Sequence, residues 1–265
     1  MMEKGYSEVN GTELYYERSG EGYPIIFIHG FSLDNRMWDP QFSEFSRKFD
    51  VIRYDLRGFG RSGALKEDLH YRHADDLREF MSSMGINCAS LVGLSKGGAV
   101  AINFSIAYPE MVSKLVLADA EVPGFSVSNS YRKELDHIWS MAAVGGINAS
   151  KDAWLKHAFF APAQLKPDVI GPIREMVSGY SGWHFMHKDP ELFTPVPAIN
   201  HLHDIRMPLL VLVGKMDIPD FIDESILLSK SVKGSRLEFI NGVGHMSNME
   251  DPETFNRLSI QFLSE

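Results

Sequence analysis

The chain has 265 residues, 44% hydrophobic and 23% charged, proportions that suggest one or two ordinary folded domains and exclude collagen-like, coiled-coil and disordered readings. Twenty-six Lys and Arg against 35 Asp and Glu leave a net charge of −9, without the basic excess that binding nucleic acid or an anionic membrane requires. The one cysteine, Cys88, cannot form an internal disulfide, which excludes a disulfide-stapled secreted module and favours a reducing, cytoplasmic setting with Cys88 as inert packing.

Met1 to Val9 shows no apolar core of signal-peptide length. No uninterrupted apolar run approaches the ~18 residues of a membrane helix, so a soluble, unexported protein is expected. Thr12 to Arg18 alternates apolar and polar residues and reads as an early, half-exposed strand. Ile25 to Ile28 reads as a strand buried on both faces, and Val51 to Tyr54 as another. Tyr71 to Met84 carries Leu77, Phe80, Met81 and Met84 at helical spacing, with Gly85 placed as a C-terminal cap. Ser90 to Leu94 is a strand, Ala99 to Tyr108 an apolar helix stopped by Pro109, and Lys114 to Ala118 the next strand.

Strand and helix in alternation imply right-handed crossovers and a mostly parallel sheet. The pattern resumes at Leu209 to Val213, continues through a helix near Phe221 to Ser231 and a strand at Arg236 to Ile240, and closes on a helix opened by Asp251-Pro252. Between about Glu121 and His203 the alternation fails. That stretch holds Trp139, Trp154, Phe159, Phe160, Trp183 and Phe185, and is too long and too apolar for a plain loop. A mostly helical insertion over residues 121–203 is expected, folded over a core formed by 1–120 and 204–265. Its tryptophans Trp139, Trp154 and Trp183 are candidates for lining a substrate pocket; packing the insertion onto itself is the plainer alternative.

The most informative segment is Gly93-Leu94-Ser95-Lys96-Gly97, a G-x-S-x-G placed directly after a strand and before a helix. Glycines at its ends allow a tight turn that lifts the Ser95 hydroxyl to the helix N-terminus, where free N–H groups and the helix dipole favour a developing anion. A serine nucleophile needs a base, and the base an orienting acid. His245, in the Asn241-Gly242-Val243-Gly244-His245 loop after the last strand, is the candidate base. Asp217, beyond the Leu209 to Val213 strand, is the leading acid, with Asp220 and Asp119 as competitors; the plainer role for Asp220 is a helix N-cap. Of the other histidines, His184, His187, His201 and His203 read as solvated or substrate-lining, and His70, His73, His137 and His157 as surface helix residues. No metal-binding set, phosphate loop or dinucleotide fingerprint is present, so no cofactor is expected.

These residues resemble the α/β-hydrolase superfamily over nearly the whole chain. Phe27-Ile28-His29-Gly30-Phe31 is similar to its HG oxyanion loop, Tyr54-Asp55-Leu56-Arg57-Gly58-Phe59-Gly60-Arg61-Ser62 to its D-x-R-G-x-G-x-S segment, and Gly244-His245-Met246 with Glu250-Asp251-Pro252 to its histidine loop and closing helix. The resemblance implies an α/β fold with a cap in the insertion, an oxyanion hole from the backbone N–H groups of Phe31 and Lys96, and a loop-bracing role for Asp55 and Arg57. Lys96 departs from the family's usual apolar or aromatic residue. Its side chain is expected to pair with an acidic neighbour, the alternative being contact with an anionic acyl group.

The expected activity is cofactor-free hydrolysis of an ester or lactone in a small to medium, largely apolar substrate. Other chemistries of the same fold remain open: C–C bond hydrolysis, thioester cleavage, perhydrolysis, acyl transfer, or a low-turnover receptor for a small ligand. The expected partner is a small molecule, and self-association into a homo-oligomer is compatible with the sequence.

Overall fold

The computed structural model describes residues 2–192 and 196–265. The strands are β1 (Glu3–Val9), β2 (Thr12–Ser19), β3 (Pro24–Ile28), β4 (Asp50–Tyr54), β5 (Ala89–Leu94), β6 (Val112–Ala118), β7 (Leu209–Gly214) and β8 (Arg236–Ile240). They form one sheet in the order β1-β2-β4-β3-β5-β6-β7-β8. β1–β2 and β2–β4 pair antiparallel and every later pairing is parallel. The apolar runs of β5 and β7 are buried along their whole length, as central strands covered on both faces must be.

The helices in chain order are α1 (Asp39–Phe45), α2 (His73–Ser83), α3 (Lys96–Ala107), α4 (Asn129–Gly145), α5 (Ile147–Trp154), α6 (Ala161–Gln164), α7 (Pro167–Gly179), α8 (Trp183–Met186), α9 (Pro219–Ser231), α10 (Ser247–Glu250) and α11 (Pro252–Ser264). α2 is capped by Met84, and Gly85 follows at φ 69°, the left-handed position where glycine carries no Cβ penalty. α11 opens on Asp251, whose carboxylate accepts from the Thr254 N–H at 3.0 Å, with Pro252 as its first residue. Its Phe255 and Phe262 are buried.

The doubly wound α/β fold is the one expected. β1 was not expected from the pattern. It is an edge strand of mixed charge, yet Asn10 and Gly11, both at positive φ, form the two-residue hairpin turn that signals it. Helices α4–α8 all lie between β6 and β7 in the chain. Residues 193–195 of the insertion expected there lie outside the described residues. Among the described residues no helix is long and apolar enough to cross a membrane.

Two sequence expectations need correction. His73 and His157 are buried, not surface residues. His73 packs edge-on to Tyr71, and His157 stacks on Trp154. His73 is the first residue of α2 and turns inward; His157 is in no helix but caps the short turn at Ala158–Phe160, accepting from the Phe159 N–H at 3.2 Å.

Candidate active site

Ser95 stands between β5 and α3 at φ 54°, a strained conformation for a residue with a Cβ. The turn is tight because its neighbours lack side chains. A Cβ on Gly93 would lie 2.4 Å from the Gly97 carbonyl oxygen, and one on Gly97 would lie 2.1 Å from that of Ile28. The Ser95 N–H donates to Ala118 O at 3.1 Å, and its carbonyl accepts from Ala99 and Glu121. Lys96 is the first residue of α3, so its amide has no partner within the helix.

His245 Nδ1 and Asp217 Oδ2 are 2.8 Å apart, with both side chains buried. Asp217 Oδ1 accepts from the Ile218 N–H at 2.7 Å. That bond fixes the carboxylate, which in turn fixes the imidazole with Nε2 free. The ring is held on two further sides. Phe159 stacks on it at 4.1 Å between centroids, and Phe221 meets it edge-on at 4.5 Å. The loop carrying His245 is anchored by Glu250, which accepts from the Gly244 and Met246 amides at 2.9 and 3.2 Å. Among the described residues no hydrogen bond joins the Ser95 hydroxyl to His245.

The other aspartates have different work. Asp119, at φ 43°, accepts from the Gly214 N–H at 2.8 Å and from the Ser247 hydroxyl, so it braces the two segments that carry Asp217 and His245 without touching the imidazole. Burial, and then the Asp217 charge, push its carboxyl well above the usual carboxylate range. Asp220 is not an N-cap: Ile218 holds that position in α9, and Asp220 lies in the first turn. Its carboxylate accepts from the Ser128 N–H and hydroxyl, tying α9 to the start of α4.

Phe31 follows the His29-Gly30 pair. His29 Nε2 accepts from the Leu56 N–H at 2.9 Å, which joins this loop to the segment after β4. Asp55 accepts from the Asn35 and Arg61 amides at 2.7 and 2.8 Å, and Arg57 pairs with Asp76 at 2.7 Å, so both brace loops. The Phe31 ring is a hub, in contact with Phe59, Trp139, Trp154, Tyr180, His184 and Phe185. Trp139 stacks on it at 5.6 Å and Trp154 meets it edge-on at 5.5 Å. Trp183 does not touch Phe31; it meets His184 edge-on at 5.4 Å and stacks on the exposed His187.

The Lys96 ammonium is 3.0 Å from Glu191, with side-chain exposures of 16% and 9%. Burial alone would lower its pKa; the carboxylates of Glu191, Glu121 and Asp189 outweigh that and raise it, so the amine stays charged. The pairing answers the expectation for this side chain: its partner is an acid. Sequence reasoning missed Glu191, Glu121, Phe159 and Phe221. Glu191 and Phe159 lie far from Ser95 in sequence with no periodic signal to place them. Glu121, three residues past β6, had one: it stands at the same end of the sheet as Ser95.

Residues 25–258 match the model of the alpha/beta hydrolase family. The AB hydrolase superfamily protein YisY of Bacillus subtilis is 28% identical over 262 residues, covering 94% of each chain. The 2-hydroxy-6-oxo-6-phenylhexa-2,4-dienoate hydrolase of Comamonas testosteroni is 26% identical over 95% of this chain and 91% of its own. Among solved structures, the enol-lactonase of Burkholderia xenovorans LB400 superposes with a TM-score of 0.83 at 26% identity, over 98% of this chain and all of that one. The parallel sheet, the strained serine turn and the buried Asp–His pair thus occur in a chain matched across most of its length, and the protein belongs to the alpha/beta hydrolase family of enzymes.

Proposed function

We propose that the protein is a serine hydrolase acting on ester or lactone bonds of small to medium, largely apolar substrates. The observation that carries the reading is the buried hydrogen bond from His245 Nδ1 to Asp217, on a chain whose Ser95 occupies a strained strand-to-helix turn. Ser95 Oγ attacks the acyl carbon while its proton passes to His245 Nε2, and the Phe31 and Lys96 amides receive the charge on the carbonyl oxygen. The proton then goes to the departing alcohol oxygen as the C–O bond breaks, leaving an acyl-Ser95. His245 deprotonates a water that attacks the acyl carbon, and the proton returns to Ser95 as the acid is released. Asp217 stabilises the imidazolium at each stage.

In this reading residues 121–203 form a cap over a core of 1–120 and 204–265, and Trp139 and Trp154 hold its aromatic inner face against Phe31. The likeness to an enol-lactonase supports the ester or lactone class. The likeness to a dienoate hydrolase makes C–C bond hydrolysis the second reading. A panel of esters, lactones and vinylogous diketones, run on unlabelled wild type and Ser95→Ala, with fluorophosphonate labelling of separate samples, tests both. The expected result is a single adduct at Ser95 and turnover of esters or lactones. An adduct elsewhere, or full activity in Ser95→Ala, overturns the serine mechanism; turnover of the diketones alone selects the second reading.

A further inference from the structure

Among the described residues the Glu121 carboxylate makes no hydrogen bond or ion pair. Its backbone N–H donates to the Ser95 carbonyl at 3.2 Å, so the two residues touch. Burial, the largest influence, pushes its carboxyl up; the Lys96 ammonium draws it down, Glu191 raises it and His245 draws it down. Its charge is felt by the site's own Lys96, Glu191 and His245. Yet Glu121 is exposed while Ala120 and Val122 on either side are buried. Its side chain is thus accessible to an incoming molecule, and its backbone adjoins the serine, itself half-buried.

The neighbouring charges are already matched. Lys96 is held by Glu191 at 3.0 Å. Asp189 lies 3.2 Å from His184 Nε2 and accepts from the Tyr71 hydroxyl at 2.9 Å. Among the described residues nothing donates to the Glu121 carboxylate. An accessible carboxylate beside the serine attracts a positive or donor group of an incoming molecule and repels a negative one.

We infer that Glu121 determines specificity, receiving a cationic or N–H/O–H donor group of the substrate beside the scissile bond and disfavouring substrates that carry a carboxylate there. The inference rests on the serine-hydrolase reading. It also assigns Lys96 away from substrate: its ammonium neutralises Glu191, so an anionic acyl group finds no free cation beside Ser95 and meets an unmatched carboxylate.

Three methylphosphonothioates with leaving arms of matched length test this: trimethylammonioethyl, its uncharged isostere 3,3-dimethylbutyl, and 2-carboxyethyl. The Ser95 oxygen bonds to phosphorus as the P–S bond breaks, the thiolate leaves with the bonding pair, and the hydroxyl proton passes to His245. Rates of adduct formation at Ser95 are read by intact mass and peptide mapping in wild type and in Glu121→Gln. Wild type is expected to react about tenfold or more faster with the cationic probe than with its neutral isostere, and slowest with the anion. In Glu121→Gln the cation-to-neutral ratio should fall towards one; a ratio cancels any general change in reactivity. Equal rates or an anion preference in wild type, or an unchanged ratio in the variant, overturns the inference while the Ser95 adduct upholds the serine reading. No adduct at Ser95 with any probe overturns that reading, and this inference with it.

Discussion

The indole N–H of Trp154 donates to the Ser32 hydroxyl at 2.7 Å, joining the last residue of α5 to the loop that carries Phe31. Ser32 is itself at φ 62°, a conformation that costs energy and persists where surrounding contacts hold it. Trp154 is a candidate pocket residue in sequence, with packing as the alternative; its hydrogen bond ties it to the loop of Phe31.

Trp154→Phe keeps most of the ring and removes the donor. The expected result is a fall in kcat of about fivefold, the equivalent of one neutral hydrogen bond at ~1 kcal/mol, with KM nearly unchanged. Ser32→Ala should do the same, and the double variant no more than either alone. A rise in KM with kcat intact would return Trp154 to the role of substrate contact.

The three carboxylates near His245 make a graded prediction. Asp217→Asn leaves the imidazole without its orienting acceptor and should lower kcat by about 10³- to 10⁴-fold. Asp119→Asn keeps the brace geometry to Gly214 and Ser247 and should cost far less, and Asp220→Asn, which acts on Ser128, least of all. Steady-state kinetics on one ester decide it, and a reversed order would reassign the acid.

Glu224 gives the pH dependence of stability. Burial pushes its carboxyl up to about 9, against hydrogen bonding from the Val122 N–H, which lowers it. Between the ordinary value of 4.5 and about 9 the folded state holds a proton that the unfolded chain has released. Stability contributed by this group is therefore present at low pH and lost as pH rises through that window. Thermal unfolding from pH 5 to 9 should show a falling Tm in wild type and a shallower fall in Glu224→Gln. For a chain of this size each 1 kcal/mol moves Tm by roughly 2–4 °C. Parallel slopes would contradict the burial argument.

The aromatic face predicts a chain-length effect. Each added acyl methylene should raise kcat/KM by up to about fourfold, from ~0.8 kcal/mol of burial, until the space is filled. Trp139→Ala, which strips the stacked partner from Phe31, should move the preferred length, whereas Trp183→Ala, one ring further out behind His184, should move it less. An acyl series from acetate to palmitate reads both. A flat profile in wild type would make the aromatic cluster packing alone.

What could be read from sequence was local. The β3, β5 and β7 runs, the glycine-flanked Ser95 and the Asp217 and His245 loops each carry their signal within about ten residues. β1 escaped because edge strands alternate weakly, and α1 and α10 because short helices barely have a period. The larger gap lies in partners brought together by the fold. Phe159 on His245 and Glu191 on Lys96 come from the irregular stretch after β6, where no repeat says which residue faces the sheet. His157 comes from the same stretch, and His73 opens α2, where the helical period carries no sign of a first residue turned inward.

A Cβ on Gly98 would lie 2.4 Å from that of Ala120, so α3 and the turn after β6 are pressed together with no room to slide. Asp119 is pinned through Gly214 and Ser247, and Val122 through Glu224, on either side of Glu121. The backbone at position 121 is thus rigidly framed while its side chain looks into open space. Such a position is a dial: one codon can rewrite the charge that an incoming molecule meets, from acid to amide to alkyl, without disturbing the serine next door. Laboratory selection for new substrates should find its first useful changes there.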